Sequence, residues 1–303
     1  MRYPLSIKQI RKNNKRVEFV GSSYGLFCFT GFYLGEDDCF DRYVIWNPSI
    51  RKSVTIDVPY QDCICEYGDA RKNVVVGFGV CPKSLDHKMV RINMLGIPYE
   101  YKKLGYKHDR FVRVDVFTLS GGVWRRPLTK LTSKWFHIYI YGQTSVVVNG
   151  FIYWLSLYKN ASAIISFDLT SEEFTKIRVP HKVSHYHYEL FKLRESLGVV
   201  QWGGSKESYD VWLLDNVSKS FIKLYTFTLP NRWKVVGFRD NDQLIIEKGD
   251  EYSVDNGVRR YVAELVAYEP DSKQFNKLGF NAGCYSCTSY TESLLLLDQP
   301  DTL

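Results

Sequence analysis

The chain has 303 residues, of which 45% are hydrophobic and 24% charged, a globular composition that excludes a disordered protein, while a 16% aromatic share favours β-sheet. Of the net charge of +7, residues 1–16 supply Arg2, Lys8, Arg11, Lys12, Lys15 and Arg16 with no acid, and the rest of the chain balances 34 bases against 33 acids, so the charge is not a stripe on a folded surface and nucleic acid is not the expected partner. No run approaches the ~18 apolar residues of a membrane span, no apolar signal-peptide core opens the chain, and seven irregularly spaced Cys read as reduced thiols, so the expectation is a protein off the membrane, in the cytoplasm and/or nucleus.

In chain order, residues 1–16 read as a basic tail, in which Ser6–Asn14 is the best helix candidate. The folded domain is expected over 17–298, with a short tail at 299–303. One unit then recurs: an apolar alternating strand, an acid or amide, a short polar turn, an aromatic six residues on, and a second strand. Val44–Pro48 leads the first copy, with its anchor at Asn47. Val114–Thr118 with Trp124 gives the second, turning at Gly121-Gly122. Ile164–Asp168 with Phe174, Val211–Asp215 with Phe221, and Ala263–Glu269 with Phe275 follow. The Asp or Asn side chain bonds backbone N–H groups just ahead of it, which fixes the turn.

The anchors recur at about 50 residues after one longer first interval, whose excess falls in Tyr60–Lys72 and Ile97–Arg110, read as insertions. Upstream strand pairs complete each unit: Val74–Val80 with Lys88–Leu95, and Val146–Trp154 folding back at Asn149-Gly150, a strong hairpin signal. Four strands per unit predict an all-β, kelch-like β-propeller of four-stranded blades. Five repeats are visible, with a partial sixth in Thr291–Leu297, which resembles Arg194–Val200. That C-terminal copy is expected to close the ring as a strand against the first blade.

These residues resemble the plant F-box-associated domain of F-box proteins. The family's G-S-C-N-G-L-L-C-like opening is similar to Gly21–Cys28, and its L-W-N-P-S-T-R-like hairpin to Ile45–Lys52. Its G-F-G-Y-D and D-Y-K-V-V-R pair is similar to Gly77–Cys81 and Asp86–Arg91. Val148–Leu155 and Glu292-Ser293-Leu294 match its V-N-G-x-L-Y-W-L and E-S-L. The departures are Ser23-Tyr24, Val80-Cys81 and His87. The resemblance implies a non-catalytic protein-interaction domain, the substrate-recognition part of a cullin–RING ubiquitin ligase receptor. The family's helical F-box, which docks the ligase adaptor, has no counterpart in residues 1–16, so adaptor binding is expected only where a longer form supplies one. A fragment, a truncated gene product and an adaptor-free module all fit that pattern. A ubiquitin-independent binding module is the alternative, and a propeller-fold enzyme a further one.

Two stretches are the candidate partner-binding residues. Tyr99, Tyr101, Lys102, Lys103, Tyr106 and Lys107 lie in the second insertion, where a solvated loop is the plain alternative. Trp135, His137 and Tyr139 lie in an alternating aromatic run, which also reads as a buried strand. Aromatic side chains bring large contact area at low entropy cost. Other constellations are weaker. His185 and His187 share a strand face near His181 and Glu189 but lack a third ligand at metal-binding spacing. Cys284-x-x-Cys287 has only Cys63-x-Cys65 as a mate, Gly77-Phe78-Gly79 lacks the third glycine and helix of a nucleotide loop, and no nucleophile elbow or phosphate loop occurs. No cofactor, metal or catalytic residue is expected.

Overall fold

The computed structural model describes residues 17–34, 39–59, 74–95, 111–127, 145–158, 161–180, 187–203, 208–230, 233–239, 241–249, 253–255, 258–260, 263–281, 287–288 and 290–296. Every regular element among them is a strand. The first sheet is β1 (Val17–Ser23), β2 (Leu26–Leu34), β3 (Cys39–Asn47) and β4 (Lys52–Pro59). The second is β5 (Val74–Val80), β6 (His87–Leu95), β7 (Phe111–Thr118) and β8 (Val123–Arg125). The third is β9 (Val146–Val148), β10 (Phe151–Tyr158), β11 (Ala161–Asp168) and β12 (Phe174–Arg178). The fourth is β13 (His187–Leu193), β14 (Ser196–Trp202), β15 (Ser208–Leu214) and β16 (Phe221–Thr228). The fifth opens with β17 (Lys234–Phe238) and β18 (Leu244–Gly249). A separate hairpin, β19 (Ser253–Asp255) and β20 (Val258–Arg260), intervenes before β21 (Ala263–Glu269) and β22 (Gln274–Asn281) complete that sheet. These are five antiparallel four-stranded propeller blades, as the repeat predicts.

Each anchor stands where the third strand of a blade turns into the fourth. At Asp168 the backbone carbonyl accepts from Glu172 N–H at 2.8 Å and the side chain from Thr170 N–H at 2.7 Å. Asp215 repeats this, with Lys219 N–H on its carbonyl at 2.9 Å and Val217 and Ser218 N–H on its carboxylate. The turn ends in a left-handed residue: Arg51, Gly122, Glu172, Lys219 and Lys273 all have φ between 54° and 64°. The β5–β6 turn has the same form, Leu85 N–H donating to Cys81 O at 2.8 Å with Leu85 at φ 57°.

Two compact units divide the chain. The first three sheets, apart from residues 161–163, 177 and 178, belong with residues 290–296 to one unit, and the last two sheets with Cys287 and Thr288 to the other. In the first unit the second sheet is buried on both faces, and the period-two alternation of its strands sorts the side chains. Met89 and Phe117 join Leu26, Cys28, Tyr43 and Ile45 on the side of the first sheet, whereas Val90, Ile92, Val114 and Val116 meet Ile152, Trp154, Ile165 and Phe167 of the third. In the second unit Val200, Tyr209, Val211 and Phe227 pack against Val235, Leu244, Ile246 and Val266. Each fully buried side chain of this kind contributes about 1.5–3 kcal/mol relative to exposure.

The C-terminal segment does not hydrogen-bond as a strand among the described residues. In the first unit it is held by the fully buried Asn47, whose Nδ2 donates to Ser293 O at 2.9 Å and Leu295 O at 2.8 Å, while Leu296 enters the core. In the second unit Cys287 N–H donates to Val236 O at 2.8 Å, beside a bulge in β17, and a Cβ at Gly237 would lie 3.0 Å from Cys287 Cβ.

Candidate functional site

An antiparallel blade sends its first-to-second and third-to-fourth connections to one end and the others to the opposite end. In the first unit the short turns of all three blades meet at one end. His87 Nε2 lies 3.3 Å from the Ser23 carbonyl, linking the first and second blades. The Asp86 carboxylate accepts from Ser120 N–H at 3.1 Å and Ser120 Oγ at 2.5 Å, closing the second blade's two turns on each other. Lys88 Nζ donates to Leu169 O at 2.7 Å and Glu172 Oε1 at 2.8 Å, and Arg125 forks onto Glu172, linking the second and third. Burial pushes the Glu172 carboxyl up, but the bonds from Arg125 and Lys88 outweigh it and hold the group below its ordinary value.

The opposite end carries the long connections, 60–73, 96–110 and 128–144. Their anchoring strand ends are stiffened by paired charges. Arg91 donates to Asp41, both buried. Asn93 Nδ2 donates to Asp115 Oδ2 at 3.2 Å, and Arg113 Nε to Asp115 Oδ1 at 3.0 Å, across the strands β6 and β7 that flank the 96–110 connection. Arg42 forks onto Asp57 at 2.7 and 2.6 Å. These groups neutralise one another, and no group of three metal-ligating side chains occurs among the described residues.

Tyr99, Tyr101, Lys102, Lys103, Tyr106 and Lys107 belong to the connection between β6 and β7, and Trp135, His137 and Tyr139 to that between β8 and β9; all lie outside the described residues. So do the tail 1–16, His181, His185, Cys63, Cys65 and Cys284. His187 opens β13 and stacks on Trp202 at 5.5 Å. The glycines of Gly77-Phe78-Gly79 serve packing. A Cβ at Gly77 would lie 2.5 Å from Ile152 Cγ2, and one at Gly79 would lie 2.8 Å from Val147 Cγ1.

Tyr24 and Leu85, exposed apolar side chains at the turn end, are not among the residues that the sequence singles out. Tyr24 precedes Gly25 in a two-residue hairpin turn with φ 47° and 80°, the left-handed pair that favours Asn-Gly. The signal was the departure at Ser23-Tyr24 from the family pattern, where Tyr takes the place of Asn.

Residues 5–285 match the family described as F-box associated beta propeller domain. Relatives from Arabidopsis thaliana include the F-box protein CPR1, 23% identical over 96% of this chain and 71% of that protein. The F-box protein At3g22700 is 23% identical over 77% of this chain and 65% of its own length. The F-box/kelch-repeat protein At3g04660 is 29% identical over 45% of this chain and 33% of its own length. The chain spans about half the length of other curated relatives it matches, 49% in two of them. Among solved structures, oligogalacturonate lyase from Vibrio parahaemolyticus aligns with a TM-score of 0.46 at 11% identity, covering 84% of this chain and 64% of the lyase, a likeness too distant to bear on function. The chain belongs to the F-box associated β-propeller domain family.

Proposed function

We propose that the chain binds a protein target through the loop end of its first unit, as the target-recognising part of a ubiquitin-ligase receptor. The observation that carries this reading is the family match over residues 5–285, together with relatives that are F-box proteins. The topology supports the placement. Function on a rigid scaffold concentrates in its long connections, and the connections rooted at Leu95 and Phe111, and at β8 and β9, hold the Tyr, Trp and Lys residues suited to an interface. The ligase adaptor is contacted only where an F-box is supplied, and the setting is intracellular. No cofactor or bond-making step enters this reading.

The test is affinity capture from the source tissue with the immobilised chain as bait, beside a variant in which residues 97–110 are replaced by a short Gly-Ser link. Retention of a target by the parent and its loss by the variant, at an unchanged thermal midpoint, is the expected result. Equal recovery by both would remove the target from this loop. Recovery of the ligase adaptor by this chain alone would contradict the separation of target binding from adaptor docking.

A further inference from the structure

The last strand of each blade ends its sheet among the described residues, and such an edge presents a row of N–H and C=O groups to another strand unless it is blunted. Most of these edges are blunted. In β4, Val54, Thr55 and Ile56 are buried, and β8 is only three residues long. The five residues of β12 include the exposed Lys176 and Arg178, and β22 carries Lys277, whose side chain is 80% exposed, and Gly279 at φ 74°. The exception is β16. It runs eight residues without Gly, Pro or an acid, and Ile222, Lys223, Thr226 and Thr228 are exposed. Its one charge does not guard the edge. Lys223 Nζ turns back over its own blade, 2.8 Å from Asp210 Oδ1 and 5.7 Å from the centre of the Trp212 ring, and Thr226 Oγ1 donates to the same Asp210 oxygen at 2.7 Å.

The spacing of the outward backbone groups decides what can pair there. Asp215 N–H donates to Ser220 O, so in the register that follows Leu213 bonds Ile222, while Phe221 and Lys223 turn their backbone away from β15. Between Val211 and Trp212 the register slips by one residue. Beyond that bulge Tyr225 and Phe227 face β15, and Thr226 and Thr228 turn away. The outward positions are therefore 221, 223, 226 and 228. A regular strand offers its groups at every second residue, so it matches one half of β16 and falls out of step with the other. A second β16 laid antiparallel brings the same broken spacing in reverse. Phe221 then meets Thr228, Lys223 meets Thr226, and the two bulges face each other across a two-fold axis. In that register Ile222, 54% exposed, stands opposite Phe227, a favourable aromatic–β-branched pair, and Lys223 stands opposite a threonine and not a second lysine.

We propose that the outer edge of β16 is a self-association site, on which β16 of a second copy of this chain docks antiparallel and joins the fourth blades of the two molecules into one sheet. This inference stands independently of the target reading above, which concerns the first unit.

Sedimentation velocity of the full chain over a concentration series tests it. The expected result is a species of twice the chain mass that gives way to monomer on dilution. Ile222→Lys, which adds a charge to the edge, should abolish the dimer, and Leu85→Lys, at an exposed position of the first unit, should leave it intact. Mild oxidation of Lys223→Cys and Thr226→Cys chains tests the register without relying on the lysine variant. Mixed, the two should form a disulfide-linked dimer, because paired positions fall within the ~4.4–6.8 Å between Cα atoms that a disulfide spans. Neither alone should cross-link above the parent, because like positions stand about 10 Å apart along the strands. A parent chain that stays monomeric throughout would overturn the proposal. So would a dimer unaffected by Ile222→Lys, or one whose mixed chains cross-link no better than either alone.

Discussion

At the scale of the residue, surroundings separate side chains that composition counts as alike. Burial alone pushes the Cys28 thiol far above its ordinary range, which leaves it an inert small hydrophobe. Burial also pushes Cys81 up, but bonds from Ser84, Thr170 and the backbone at Lys83 and Ser84 outweigh it and bring that thiol down to about 7. His87 is the residue whose titration should be measurable. It stacks on Phe78 at 5.5 Å beneath the Ser23 carbonyl, and burial holds its pKa below the ordinary imidazole value against the opposing pull of that carbonyl and Asp86. A depressed imidazole means that the unfolded chain takes up its proton first as the pH falls. The contribution of neutral His87 is therefore complete above about 6.5 and declines as the pH drops from there toward the folded value. The thermal midpoint should fall between pH 7 and 5, and His87→Phe, which keeps the stack, should flatten that decline. An identical slope in both proteins would show that other groups govern it.

At the scale of the element, the turns were the legible part. Asn47, Thr118, Asp168, Asp215 and Glu269 are local signals, because the bonds that make the turn join residues only two to five apart. Alternation then gave the strands, and β5 falls on the expected Val74–Val80. What could not be read was any feature whose cause lies in another blade. Gly77-Phe78-Gly79 lacks the third glycine and the helix of a nucleotide loop, yet nothing local says why the glycines are there. The reason is the third blade: Ile152 and Trp154 press against β5 at Gly77, and Val147 and Leu169 at Gly79. The candidate binding residues Tyr99, Tyr101, Trp135 and Tyr139 are chosen by side-chain type alone, since a recognition residue answers to a partner and not to the repeat. Gly77→Ala should therefore cost up to about 3 kcal/mol, the upper end of the range for overpacking a filled core. Gly279, at φ 74° with nothing near its Cβ position, supplies the contrast. Gly279→Ala meets only the backbone penalty of about 1 kcal/mol. Equal shifts of the urea midpoint for the two variants would mean that the second and third blades yield to the added methyl.

At the scale of the whole molecule, residues 290–296 follow the fifth blade in sequence, and something other than a further blade must hold them. In the first unit this falls to Asn47, the anchor of the first blade's turn, which reaches across 246 positions of sequence to Ser293. Its amide does two things at once. The Oδ1 atom accepts from Ser49 N–H at 2.9 Å, the turn-making bond that the sequence predicts, while Nδ2 holds the carbonyls of Ser293 and Leu295. Around it Tyr290 packs on Phe27 at 5.1 Å and Leu296 is buried with Leu26 and Ile45. The resemblance of Thr291–Leu297 to Arg194–Val200 suggested a strand, but a buried side-chain amide does the holding where a backbone ladder was expected. Asn47→Ala should lower stability by about 2 kcal/mol, since two carbonyls lose a buried donor. It should also speed hydrogen exchange at the amides of residues 290–296 more than at those of β2 or β3. In a chain ended at residue 289 the same substitution removes only the turn bond, so it should cost distinctly less there. If Asn47→Ala costs as much in the shortened chain as in the full one, the amide serves its own turn alone, and the C-terminal segment is held by Leu296 and Tyr290.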